Sequence, residues 1–508
     1  MAADDEDAAA STLAPTRGGL GGEIRRLGGQ TLVYGIGGAA LQLVGIVTLP
    51  ILARVFSPAD YGVLELGVVV SAILMIVVDG GMASASQRSY FDYADDQEAR
   101  RRRVLVTALL FQLVIGLVLA CVLLVLAGAI SRALFAGRDE AGVVVLIGVA
   151  LPAFALAQFT REILRLEFRA WSYLVTSVAG AAVAAVVTIV AVLAWNAGIA
   201  GVFAGALAGW VVGAVLGLGL VWRRLRARPS RRELTVMLRY GLPLIPVAVS
   251  LWALSLIDRL MLSRLADLEE LGQYAVANRI ASPVLLLVTA LSLAFSPFIL
   301  SLYQTDPEHE KRVRGRVLTD FTAGLTLIAL VSALWARELG ERVAPDFDEA
   351  FRAVGIVAFG LVAFGISSVV VTGISIARQT RWLMLYSLVA ALANVALNAV
   401  LIAPLGQIGA ALATLAAYVL LCGLYYRRAQ ILYRTPYRIG IVAATFTVGL
   451  ALMSLGAISY DAWIVALAVK LGAVLVFLLA LHPLGVLGAG DIGRGLAALR
   501  ACRARARA

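Results

Sequence analysis

Apolar residues run along this chain in blocks of about twenty, the length that crosses a hydrocarbon core. Short polar, basic or Gly/Pro breaks separate the blocks. Fourteen blocks emerge, near 30–53, 62–86, 104–130, 141–162, 172–194, 199–222, 240–263, 272–300, 317–336, 352–377, 383–403, 407–426, 439–459 and 462–481. The pattern therefore predicts an all-α polytopic membrane protein with about fourteen transmembrane helices. Two of the splits, at 195–198 and 404–407, rest only on short breaks inside long apolar stretches.

Composition agrees. Apolar types make up 61% of 508 residues and charged types 15%, against about 45–50% and about 25% in soluble proteins. The mean hydropathy is +0.91. A soluble globule of this size could not hide so much apolar surface. Two lysines, Lys311 and Lys470, are followed by Arg312 and Leu471, so neither ends a Gly-Lys-Ser/Thr phosphate loop. Two histidines, His309 and His482, rule out a multi-His metal site. Cys121, Cys422 and Cys502 are far apart and form no disulfide framework. The expectation is a protein with no catalytic residues, no metal and no cofactor of its own.

The net charge of +11 and pI near 9.9 first suggest nucleic acid. Their distribution argues otherwise. With the N-terminus placed in the cytoplasm, 33 of the 43 basic residues fall in or beside inner segments, 7 in or beside outer loops and 3 inside spans. That positive-inside bias predicts both termini in the cytoplasm. Residues 1–28, opening with Asp4, Asp5, Glu6 and Asp7, are expected as a disordered cytoplasmic tail, and 485–508 as a basic cytoplasmic tail. Gly488, Gly490 and Gly493 match a dinucleotide fingerprint by letter, but they follow a membrane span rather than a strand. The outer loops are too short to fold as a catalytic domain; the longest runs over 337–351.

The two halves resemble each other at an offset near 208. Tyr34-Gly35 and Tyr240-Gly241 open the first and seventh spans. Arg54 precedes Tyr61-Gly62 as Arg264 precedes Leu271-Gly272. Gly198, Gly201 and Trp210 match Gly406, Gly409 and Tyr418. Six spans per unit is an even number, so the repeats are parallel and related by an axis along the membrane normal, with a cavity expected between them. This divides the chain into a first lobe at 29–238, a second at 239–430 and two extra spans at 431–484.

Charges inside spans cost several kcal/mol and mark candidate sites. Asp79 sits deep in span two, Glu65 one turn into it, and Arg88 at its inner end. Asp258 and Arg259 are adjacent in span seven, and Arg279 lies in span eight. Asp258 and Arg279 fall at similar depth on neighbouring antiparallel helices and are positioned to pair. One reading has guanidinium groups holding a phosphate or pyrophosphate and Asp79, Asp258 or Glu65 handling a coupling cation. The other has Arg54 and Arg264 snorkelling, Arg88 anchoring the inner face, and Asp258–Arg279 as a structural pair. Asn394 and Asn398 share a helix face and are expected to hydrogen-bond between helices.

Thr31–Gly35, Leu49-Pro50 through Arg54, and Ser57-Pro58 through Gly62 resemble the opening of polysaccharide-biosynthesis proteins. Asp258-Arg259, Leu271 through Asn278, and Phe295 through Pro297 fit as well. These proteins are oligosaccharide flippases of the multidrug/oligosaccharidyl-lipid/polysaccharide exporter superfamily. The resemblance covers roughly 27–430. It implies two six-helix lobes in a V plus two C-terminal helices. It also implies translocation of an undecaprenyl-pyrophosphate-type lipid-linked saccharide from the inner to the outer leaflet of a bacterial cytoplasmic membrane. By position, Arg54, Arg88, Arg259 and Arg279 would line the substrate cavity. The resemblance further implies drive from an ion gradient (H+ or Na+) or the membrane potential, and work alongside a polysaccharide polymerase. A multidrug or small-cation exporter, or a membrane glycosyl polymerase or ligase, are the alternatives. The paired arginines expected in the first two spans of the lipid II branch are missing.

Overall fold

The computed structural model describes residues 45, 48–93, 97–377, 379, 381–458 and 462–484. Both expected tails, the Gly488 motif, Cys502 and most of the first predicted span lie outside them. Among the described residues every regular element is a helix. Twelve helices are long and apolar enough to cross a membrane.

The second predicted span appears as α1 (Pro58–Asp79) and α2 (Met82–Phe91). Ser57 and Asp60 start α1 with a reciprocal capping box, which satisfies backbone N–H groups that a helix start leaves unpaired. Gly80 and Gly81 separate the two helices at φ +54° and +74°, a left-handed conformation that residues with a Cβ rarely adopt. The first half continues with α3 (Glu98–Val125), α4 (Ala127–Leu134), α5 (Ala141–Leu166), α6 (Ala170–Leu193) and α7 (Gly198–Val221). The weak break at 195–198 thus separates two helices as expected.

The segment between the sixth and seventh predicted spans holds the start of α8 (Arg231–Gly241). The second half runs through α9 (Ile245–Leu265), α10 (Leu268–Thr305), α11 (Pro307–Leu334), α12 (Ala336–Val343), α13 (Phe351–Val370), α14 (Thr372–Ile376) and α15 (Arg381–Leu432). The last two are α16 (Ile439–Met453) and α17 (Trp463–Leu481).

At 52 residues α15 is too long for one crossing, and Gly406 breaks it with φ +54° and ψ −132°. Its arms fold back on each other. The Ser387 and Tyr425 hydroxyls meet at 2.8 Å, and Asn394 donates to Thr414 at 3.3 Å. Both pairs straddle the tip symmetrically, so α15 is a helical hairpin holding two of the predicted spans. The twelve helices therefore supply thirteen candidate crossings among the described residues, and the first of the fourteen expected spans lies mostly outside them.

Within the first half α6 packs on α7, α7 on α5 and α5 on α3. Gly180 faces Gly209, and Gly205 faces Thr188, along the α6–α7 seam. In lipid, where apolar burial between helices gives little drive, small residues let backbones come close enough for dispersion to hold them. In the second half α15 packs on α9 and α13, while α16 and α17 lean on α11. The two halves meet where α1 lies against α9 and α10.

A candidate functional site at the seam between the halves

At the start of α1 the halves touch backbone to backbone. A Cβ on Gly62 would strike the Leu268 carbonyl, and one on Gly272 would strike the Pro58 carbonyl. Gly62 and Gly272, like Pro58 and Leu268, are 210 positions apart. The contact is thus made twice by the internal repeat, each half offering its glycine to the other.

The flanking arginines follow the same rule. Arg54 donates to the Arg342 carbonyl at 2.9 Å, and Arg264 donates to the Ala133 carbonyl at 2.6 Å. Each reaches the short helix of the opposite half, α12 or α4. The Tyr61 ring stands edge-on to Phe347 at 5.5 Å. Arg54 is therefore a brace across the seam in this conformation.

About two turns further into α1, Glu65 takes the Arg259 guanidinium of α9 at 2.5 Å. Both are buried, at 5% and 9% exposure. Arg259 also donates to the Ser255 carbonyl at 2.7 Å and lies 3.5 Å from Asp258. Asp258 is 2% exposed and accepts from the Tyr274 hydroxyl at 2.6 Å and from Thr414 at 3.3 Å. Asn394 donates to Thr414, and Asn398 to Asn394 at 3.0 Å. A continuous buried polar string thus runs from the α15 hairpin through α9 to α1. Of the two asparagines expected to bond between helices, Asn394 does so, while Asn398 bonds to Asn394 within its own arm.

The expected Asp258–Arg279 pair does not form. Asp258 is satisfied by Arg259, Tyr274 and Thr414, which leaves its carboxylate no free face. Arg279 points instead at the first predicted span, where a Cβ on Gly45 would collide with its guanidinium. It is half-buried, and no carboxylate or carbonyl among the described residues accepts from its guanidinium. Glu65 and Arg279 both lie within electrostatic reach of the Tyr61 hydroxyl. Of the two intramembrane arginines here, Arg259 is neutralised by Glu65, while Arg279 has no carboxylate partner among the described residues.

At the far end of α1, Asp79 accepts from the Gly81 and Ala83 N–H groups, both at 3.2 Å, and from Gln112 at 2.9 Å. It caps α2 across the glycine break. A Cβ on Gly81 would strike the Gly241 carbonyl, and the exposed Arg88 stacks over the Tyr240 ring at 4.6 Å. Arg88 thus lies at the opposite end of the bundle from Arg54, and α1–α2 touches the second half at both ends.

The sequence from 27 to 302 matches the family model described as polysaccharide biosynthesis protein, which is over half of the chain. The chain belongs to this family. Residues 243–400 also match the MatE model. No curated relative matches the sequence. Among solved structures, a lipid II flippase MurJ in an inward closed conformation superposes with a TM-score of 0.68 at 14% identity, covering 89% of this chain and 98% of that one. A MATE structure in the straight conformation gives 0.55 at 16% identity over 83% and 96%. An inward-facing multidrug resistance MATE family transporter of the MOP superfamily gives 0.54 at 16% identity over 83% and 95%. The fold is that of these transporters, and this family member is a multi-pass membrane protein.

The structure also shows buried charged groups, and partners for them, that the sequence reading did not assign. Arg161, reckoned with the inner loops, is buried in α5 beneath the Trp210 ring at 5.1 Å. Lys470 of α17 is buried and paired with Glu338 of α12. Glu310 and Arg314 form a buried 2.9 Å pair, closed over by the Tyr433 hydroxyl donating to Glu310 at 3.0 Å. Burial pushes the neighbouring Tyr437 phenol up to about 12. The i,i+4 spacing of Glu310 and Arg314 was a visible signal for that pair.

Proposed function

We propose that this protein is a flippase that carries a polyprenyl-pyrophosphate-linked oligosaccharide, of the undecaprenyl type, from the inner to the outer leaflet of a bacterial cytoplasmic membrane. Cell-surface polysaccharide synthesis would consume the product, with a polymerase as working neighbour. The observation that best supports this reading is the pairing pattern at the seam in a chain of the polysaccharide biosynthesis family. Arg279 is an intramembrane cation without an anionic partner among the described residues, on the same seam as Arg259, whose partner belongs to the other half.

A pyrophosphate headgroup cannot cross hydrocarbon alone, because its charges would be stripped of water with nothing in exchange. A guanidinium offers two parallel N–H donors to such an oxyanion. An anion arriving near Arg279 would compete with Glu65 for Arg259. Exchanging one partner for the other releases the α1–α9 link with the buried cation still paired, and the freed Glu65 must then take up a proton or cation, since a bare buried charge costs several kcal/mol. Rocking of the halves about the seam would then expose the headgroup on the other side. Glu65, Asp258 and Asp79 are the carboxylates available to couple this to H+, Na+ or the membrane potential. Arg54 would act by bracing the closed seam, and Arg88 as a first contact at the opposite end.

The test is mass spectrometry of polyprenyl-linked glycans from cells depleted of this protein. An accumulating polyprenyl-pyrophosphate oligosaccharide, with loss of a surface polysaccharide, supports the reading and names the sugar. An unchanged lipid pool overturns it. The match of 243–400 to the MatE model favours a second reading, a drug or small-cation exporter, and dye efflux would then follow.

A further inference from the structure

We infer that each half carries a basic cup, at the end of the bundle opposite the Glu65–Arg259 link, that binds the phosphate headgroup of an anionic membrane lipid. The inference is separate from the transported substrate and would stand if the flippase reading failed.

The first cup, of about 380 Å³, lies between the start of α3 and the segment after α7, and includes Arg102, Arg103, Arg226 and Arg228. The second, of about 350 Å³, lies between the start of α11 and the segment after α15, and includes Arg312, Arg316 and Arg438. These are corresponding places in the two halves. Arg102 and Arg312 are 210 positions apart, as are Arg228 and Arg438, the spacing that relates Gly62 to Gly272. The duplication has kept the cup in both copies.

The charges do not balance within either cup. In the first, Glu98 is taken by Arg102 at 2.7 Å and by Arg224. Arg103, Arg226 and Arg228 have no carboxylate partner among the described residues. In the second, Arg316 faces Asp320 at 3.5 Å, while Arg312 and Arg438 have none among the described residues. Guanidinium groups converging on one space repel unless an anion bridges them. Phosphate suits them, because each guanidinium can donate two N–H bonds to its oxygens.

Either volume admits a phosphate headgroup together with several waters, each taking ~30 Å³. The position favours a lipid over free phosphate. Both cups open at span ends, where headgroups lie. Exposed apolar side chains border them, Trp222 beside the first and Ile431 and Ile439 beside the second, ready for acyl chains. Basic pockets between helix ends recognise anionic lipid in this way.

The experiment is native mass spectrometry of the full chain in detergent, titrated with phosphatidylglycerol, phosphatidylcholine or inorganic phosphate. Wild type should retain two phosphatidylglycerol molecules in preference to phosphatidylcholine. The variants Arg103→Ala/Arg228→Ala and Arg312→Ala/Arg438→Ala should each lose one, with affinity for it falling about tenfold or more. Lysine at the same positions should restore part of the binding, which guards against misfolding as the cause. Arg279→Ala should retain both lipids, which separates the cups from the transport site. Two lipids on both alanine variants, or no preference for phosphatidylglycerol over phosphatidylcholine, would overturn the inference. Binding of inorganic phosphate without that preference would assign the cups to a soluble anion and overturn the lipid assignment.

Discussion

Glu65 and Arg259 sit 194 positions apart in sequence and 2.5 Å apart in space, and each belongs to a different half of the molecule. A buried ion pair is weak evidence for stability, since desolvation offsets much of its attraction. This one joins the two halves, so under the proposed rocking it would act as a latch on the conformation described here.

Removing one member should be worse than removing the charge of both. Arg259→Ala leaves Glu65 and Asp258 buried with no cation, at a cost of about 3–5 kcal/mol. The melting temperature in detergent should fall accordingly. The neutral double variant Glu65→Gln/Arg259→Gln should recover much of that loss. It should also open the seam, raising the labelling of a cysteine at Tyr61. A double variant as unstable as Arg259→Ala, or equally closed to label, would remove the latch.

Gly62 and Gly272 make a second, purely steric test of the same seam. An alanine at either would force its Cβ onto backbone of the other half, and overpacking of this kind costs on the order of 1–3 kcal/mol. Because the repeat makes the two contacts alike, Gly62→Ala and Gly272→Ala should lower transport and thermal stability to similar extents. A large asymmetry between them would mean that the contact is not duplicated in function.

Much of this seam was legible in the sequence, and the reason is the repeat. Aligning Tyr61-Gly62 with Leu271-Gly272 marked two glycines that each meet backbone of the other half. The break at 404–407 was legible too, because Pro404 and Gly406 cannot both continue a helix, and they form the hairpin tip. The pairing of charges was not legible. Hydropathy gives depth but not the direction a side chain faces, so Asp258 and Arg279 matched in depth while their helix faces did not. Glu65 was visible as an intramembrane acid, but its partner lies in the other half, which local spacing cannot reach. The Lys470–Glu338 pair was hidden because its members are 132 positions apart, beyond the reach of local spacing.

Asp79 offers a way to separate capping from coupling. Its oxygens hold two N–H groups at the start of α2, so Asp79→Ala should cost about 0.5–2 kcal/mol, as loss of a cap does. Asp79→Asn keeps one acceptor and should fold nearly as well. Transport by the asparagine variant, measured against pH and sodium, then reads the charge alone. A changed dependence is the expected result if this carboxylate carries the coupling ion. An unchanged dependence would leave it as a cap.

Arg279 gives the most direct test of the proposed transport site. No carboxylate among the described residues depends on it, so Arg279→Ala strands no buried anion and should leave protein level and melting temperature near wild type. Flipping should nonetheless fall by at least tenfold, because a bidentate charged hydrogen bond contributes about 1.5–3 kcal/mol. Arg279→Lys should recover only part of the rate, since a single ammonium cannot reproduce the two parallel N–H donors. Measuring lipid-linked glycan translocation in reconstituted vesicles, with melting followed on the same preparations, checks both statements. Wild-type translocation by Arg279→Ala would take this residue out of the site and leave Arg259 as the seam's one candidate for the pyrophosphate.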